Sequence, residues 1–125
     1  MIQLIQTEEA PLAIGAYSPA VKVGTHVYIS GQIPLNPETM VLITDDIDAE
    51  IKQIFNNLKA IAVAAGGNLS NFVKLTVYLT DLMHFTRINE IMTEYFTEPY
   101  PARTLVQVTA LPKGARVEVD AVMVL

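Results

Sequence analysis

Arg103, Glu118, Tyr17, Ser30 and Asn89 are the residues of this chain whose types and positions could do chemistry. Arg103 follows Pro101-Ala102 and opens an otherwise apolar run, Leu105-Val106-Gln107-Val108. A guanidinium beside a run that reads as buried is costly to desolvate unless something planar and anionic meets its fork with two parallel hydrogen bonds. The neighbouring sequence offers no such anion, so a salt-bridge partner from elsewhere in the chain or a ligand carboxylate must supply it. Glu118 alternates with Asp120, which by itself reads as a solvated strand face. Tyr17 reads as a half-buried loop tyrosine, Ser30 as a hydrogen-bonding residue at a strand end, and Asn89 as an exposed position in a helix. Gly31, just past a strand, lets backbone groups approach a neighbour closely.

Composition narrows the classes of chemistry. The 125 residues suit one domain, 1–125, around a single core. Hydrophobic residues make up 51% and charged residues 17%, a balance that points to apolar surface meeting a partner subunit. The net charge is −5 and the eight Lys and Arg are scattered, so no basic stripe awaits nucleic acid. Cysteine is absent, which removes disulfides, thiolate nucleophiles and zinc-thiolate sites. His26 and His84 are isolated, so no metal site is expected. No leader-like N-terminus or membrane-length apolar run is present, and the expectation is a cytoplasmic protein without membrane contact.

The elements that must position these residues are legible from period and punctuation. Residues 1–6 read as a short edge strand, and 8–19, with two prolines and a glycine, as a loop. Ala20–Val23 and Val27–Ser30 flank Gly24-Thr25 as a hairpin. From Asp46, apolar residues recur at three and four (Ile47, Ile51, Ile54, Phe55, Leu58, Ile61, Ala62, Ala65), with acidic residues at the start and Gly66-Gly67 at the end. Phe72–Thr80 alternates as a strand with Val73, Leu75, Val77 and Leu79 inward. Thr80 or Asp81 caps a second helix whose stripe is Phe85, Ile88, Met92, Tyr95 and Phe96. The runs 104–109 and 115–125, around Leu111-Pro112-Lys113-Gly114, read as a closing hairpin. The order predicts an α+β fold, a mixed sheet with both helices on one face and the other face covered by a partner.

Several ordered blocks resemble the reactive intermediate deaminase family (RidA, or YjgF-type), which is also catalogued under endoribonuclease and translation-inhibitor names. They are Ala13-Ile14-Gly15-Ala16-Tyr17-Ser18-Pro19, Ile29-Ser30-Gly31-Gln32-Ile33-Pro34, Asn56-Asn57-Leu58, Tyr100-Pro101-Ala102-Arg103-Thr104, Leu111-Pro112-Lys113-Gly114-Ala115 and Val117-Glu118-Val119-Asp120-Ala121. The resemblance implies a chorismate-mutase-like subunit in a homotrimer, with pockets in the clefts between subunits and no cofactor. It implies that Arg103 grips the carboxylate of a 2-imino or 2-oxo acid, that Glu118 handles protons with the attacking water, and that Tyr17 lines the pocket. Ser30, Gly31, Asn89 and Leu105 would complete the wall. The implied reaction is hydrolysis of 2-aminoacrylate or 2-aminocrotonate, released by PLP-dependent serine and threonine dehydratases, to 2-oxo acids and ammonia. Two departures bear on substrate preference: Leu105 stands where many relatives carry cysteine, and the segment before Pro101 is short. The rival readings are a non-catalytic trimer that binds 2-oxo acids and an endoribonuclease or translation inhibitor. Acidic charge weighs against the latter.

Overall fold

The computed structural model describes residues 1–125. The chain runs β1 (Gln3–Ile5), β2 (Ala20–Val23), β3 (His26–Gln32), α1 (Ile47–Ala64), β4 (Phe72–Leu79), α2 (Phe85–Tyr95), β5 (Ala102–Gln107) and β6 (Val117–Val124). One six-stranded sheet has the order β1-β2-β3-β6-β4-β5. Every neighbouring pair is antiparallel except β4 and β5, which are parallel, so the α+β reading with a mixed sheet holds.

Both helices pack on one face of the sheet. The apolar stripe of α1 (Ile51, Ile54, Phe55, Leu58, Ile61) and Ile88 and Ile91 of α2 share one core with Leu75, Val77, Leu79, Val117 and Val119. Burying each such large side chain contributes about 1.5–3 kcal/mol, so the stripes anchor the layer. The Asp46 carboxylate accepts from the Asp48 N–H at 3.0 Å and caps α1. At the other end Gly66, at φ 96°, lets Gly66 N–H reach Val63 O and Gly67 N–H reach Ala62 O, a Schellman closure. No helix is long and apolar enough to cross a membrane.

Three expectations are corrected. The final two strands are not a hairpin: β6 lies between β3 and β4, and β5 pairs with the far side of β4 as an edge strand. The cause is α2, which returns the chain to the end of the sheet where β4 began, so the next strand must run parallel to β4. The eight-residue β6 takes the central slot because it buries Val117, Val119, Ala121 and Met123. Second, Val73 is 45% exposed while Phe72 is buried, because the register with β6 shifts between Phe72 and Lys74. Third, Phe85 is 42% exposed rather than part of the inward stripe, and Ile91 takes a core position instead.

One ion pair fixes the entry to β6. Glu50, in the first turn of α1, is only 1% exposed, and Arg116 donates to both its oxygens, through Nε at 3.2 Å and through Nη2. A carboxylate so buried is tolerated because the guanidinium meets it in bidentate geometry. The pair holds α1 against the chain two residues before Glu118.

Candidate functional site

Glu118 projects from the sheet face opposite the helices. In the antiparallel β4–β6 ladder it stands across from Tyr78, while the next pair, Leu79 and Val117, points into the core. Its wall comes from β3, where the register with β6 shifts between Ile29 and Gln32. That irregularity carries Gly31 against the Glu118 carboxylate: a Cβ at Gly31 would sit 2.8 Å from Glu118 Cδ. Ser30, beside it, ties the N-terminal loop down. Its Oγ donates to Ser18 O at 2.6 Å and its N–H to Pro19 O at 2.9 Å. Tyr17 is 50% exposed, and its hydroxyl accepts from Ile14 N–H at 3.1 Å, which folds the loop back on itself. These residues, with Lys113 and the apolar Leu12 and Ile14, line a cavity of about 540 Å³.

The electrostatics of this cavity centre on Glu118. Burial pushes its carboxyl above the usual carboxylate range, and the like charge of Asp120 adds to that. Asp120 is held in turn by the Tyr78 hydroxyl, which donates to Oδ2 at 2.9 Å. That hydrogen bond is the main cause of a raised Tyr78 phenol.

Arg103 occupies a different place. On β5 it pairs with Leu75, whose side chain is buried under the helices, so Arg103 points to the helix side of the sheet edge. Its Nη1 donates to Asn89 Oδ1 of α2 at 2.6 Å and lies 3.4 Å from Met92 Sδ. The guanidinium carbon is 5.4 Å from the ring centroid of the exposed Phe85, within cation–π range. No carboxylate pairs with Arg103, and its Nε and Nη2 have no protein acceptor. The salt-bridge alternative is thus absent, and the free fork opens on a groove of about 440 Å³ bordered by Asn89, Thr93, Tyr100 and Pro101. Leu105, two residues on, follows the same face and packs on the core edge.

The seven residues singled out in the sequence thus fall into two groups. Tyr17, Ser30, Gly31 and Glu118 meet on the open face. Asn89, Arg103 and Leu105 meet on the helix side of the β5 edge. A single chain does not bring the groups together. Two partners escaped the sequence reading, Tyr78 and Asp120. Alternation puts both on the polar face of their strands, but their contact depends on the β4–β6 pairing, which was not legible.

The same architecture recurs in known proteins. The family profile described as Endoribonuclease L-PSP matches residues 7–125. A RutC family protein of Pyrococcus abyssi is 46% identical, covering 96% of this chain and 94% of its own. The human 2-iminobutanoate/2-iminopropanoate deaminase is 45% identical, covering 98% of this chain and 89% of its own. The crystal structure of RidA from an Antarctic Psychrobacter superposes with a TM-score of 0.95 at 52% identity, covering 98% of this chain and 99% of that one.

Proposed function

The chain belongs to the endoribonuclease L-PSP (RidA/YjgF) family, and from that premise we propose that it is a deaminase that hydrolyses reactive imines of 2-amino acids to 2-oxo acids and ammonia. The observation that carries this reading is the free fork of Arg103: a guanidinium with no protein carboxylate and two unengaged donor sites is built to take a carboxylate from outside the chain. The names of relatives such as the human imine deaminase support the same substrate class.

The chemistry asks little of the protein beyond orientation and proton transfer. The substrates are 2-aminoacrylate and 2-aminocrotonate in their imine tautomers, as released by PLP-dependent dehydratases. Arg103 takes the carboxylate, and Asn89 holds the guanidinium in place through Nη1. Water adds to the carbon of the protonated imine while Glu118 accepts one of its protons, giving a neutral carbinolamine. Glu118 then returns that proton to nitrogen, and as the C–N bond breaks the carboxylate takes the hydroxyl proton, so that the carbonyl forms and the departing ammonia carries the proton away as ammonium. A carboxylate with raised proton affinity suits both halves of that exchange. Tyr17, Ser30, Gly31 and Leu105 shape the wall, and neither a metal nor a cofactor is invoked.

Because Arg103 and Glu118 lie on opposite faces of one sheet, the working pocket is a cleft between subunits of a homotrimer, with Arg103 from one and Glu118 from the next. Exposed apolar side chains on the open face, Leu4, Tyr28 and Val106 among them, favour such an assembly. The endoribonuclease reading lacks this support: of the few cations, Arg87, Arg116 and Lys52 are already engaged with carboxylates.

The test is a coupled assay in which threonine or serine dehydratase supplies the imine and release of 2-oxo acid is followed. Addition of the protein is expected to accelerate release; a rate equal to spontaneous hydrolysis would overturn the reading. A second expected result concerns Gly31. In Gly31→Ala the new methyl meets the end of the flexible Glu118 side chain, which swings aside at little cost to the fold. A shift of this kind in a proton-transfer group lowers kcat/KM by about tenfold to a hundredfold. Thermal melting should stay within a few degrees of wild type. A large loss of melting temperature, or unchanged kcat/KM, would contradict it.

A further inference from the structure

We propose that Asp120 is a positioning residue for Glu118: held by the Tyr78 hydroxyl, it keeps a second carboxylate beside the proton-handling group on the same face of β6. The proposal rests on the deaminase reading for its catalytic meaning, but not for its geometry. Glu118 and Asp120 stand two residues apart on β6 and so share one sheet face. Tyr78 lies directly across from Glu118, and its hydroxyl reaches diagonally to Asp120 Oδ2 at 2.9 Å. Without that tether an aspartate on an open strand face would turn its charge toward solvent. With it, the charge stays beside Glu118.

The groups facing Glu118 can be named element by element. Asp120 comes from β6 itself, Tyr78 from β4, Tyr17 from the N-terminal loop and Lys113 from the turn before β6. The facing segment of β3, Ser30-Gly31-Gln32, carries no ionisable side chain. Of these, Asp120 is the neighbour whose charge raises the proton affinity of Glu118, adding to burial. In a site that also receives a guanidinium, the aspartate opposes the acidifying pull of that cation on Glu118.

The test is an NMR titration of the Glu118 side-chain carboxyl carbon in protein carrying ¹³C-labelled glutamate, with the signal assigned by its loss in Glu118→Gln. Asp120→Asn keeps the volume and an acceptor for Tyr78 while removing the charge. Its Glu118 midpoint is expected to fall toward that of a carboxyl raised by burial alone. Asp120→Glu should restore the wild-type midpoint, and Tyr78→Phe should give an intermediate one. In the coupled assay the acid limb of kcat/KM should move down by the same amount in Asp120→Asn. A midpoint and an acid limb unchanged in Asp120→Asn would overturn the proposal, whereas a purely structural role would lower melting temperature without moving either. The titration needs no substrate, so a shifted midpoint beside a flat assay would sink the deaminase reading and leave the pairing standing.

Discussion

Arg103→Ala is expected to lower kcat/KM for imine hydrolysis at least a hundredfold. The alanine removes two hydrogen bonds to the substrate carboxylate, each charge-assisted and contributing about 1.5–3 kcal/mol. Their joint loss, about 3 kcal/mol at the low end, corresponds to a factor of roughly a hundred in rate. Orientation fails with binding, because no other cation lines the groove: Asn89 presents its oxygen to Arg103, and Thr93 and Tyr100 offer only single neutral hydroxyls. The fold should tolerate the change, since Arg103 is partly exposed on an edge strand and gives up one hydrogen bond to Asn89, a weak one to Met92 Sδ and a contact with Phe85. Arg103→Lys, which keeps the charge but not the fork, should fall between the two. The coupled assay and a thermal melt measure both sides of this expectation. Activity within threefold of wild type would remove Arg103 from the site.

The second expected result tests where the pocket is. Arg103→Ala and Glu118→Ala are each expected to be nearly inactive alone, yet subunits of the two variants, unfolded, mixed in equal amounts and refolded together, should recover activity. In the proposed cyclic trimer each cleft would take Arg103 from one subunit and Glu118 from the next. Random mixing gives an intact cleft in about a quarter of cases, so about a quarter of wild-type activity should return. The reason lies in the sheet: Arg103 pairs with Leu75 on the helix side, Glu118 with Tyr78 on the open side. If instead one chain wrapped both residues around a single pocket, every subunit would lack one of them. The mixture would then stay inactive.

Much of the fold was legible because it depends on local period. The α1 stripe, its acidic start and its Gly66-Gly67 stop all belong to contiguous residues, as does the Gly24-Thr25 hairpin, and they fold as read. The partnership of β5 and β6 was not legible. Adjacent strands joined by a turn-like segment suggest a hairpin, but pairing is decided by which slot buries a strand best, and β6 is flanked on both sides, by β3 and β4. Val73 and Phe85 failed for related reasons. A bulge inverts alternation at one residue, and Phe85, the first residue of its helix, lies at the sheet edge against Arg103 while Ile91 takes the core position.

The sequence by itself determined the helices, the strands, the family resemblance and the identity of an arginine without a local anion. These follow from residue type and short-range spacing, which the chain carries in every conformation. Tertiary structure alone decided that Arg103 keeps two donor sites free, that Gly31 presses on Glu118, and that Tyr78 holds Asp120 beside it. It also decided that Arg103 and Glu118 face opposite ways. Each of these depends on strand register between segments far apart in the chain, where a slip of one residue turns every side chain to the other face.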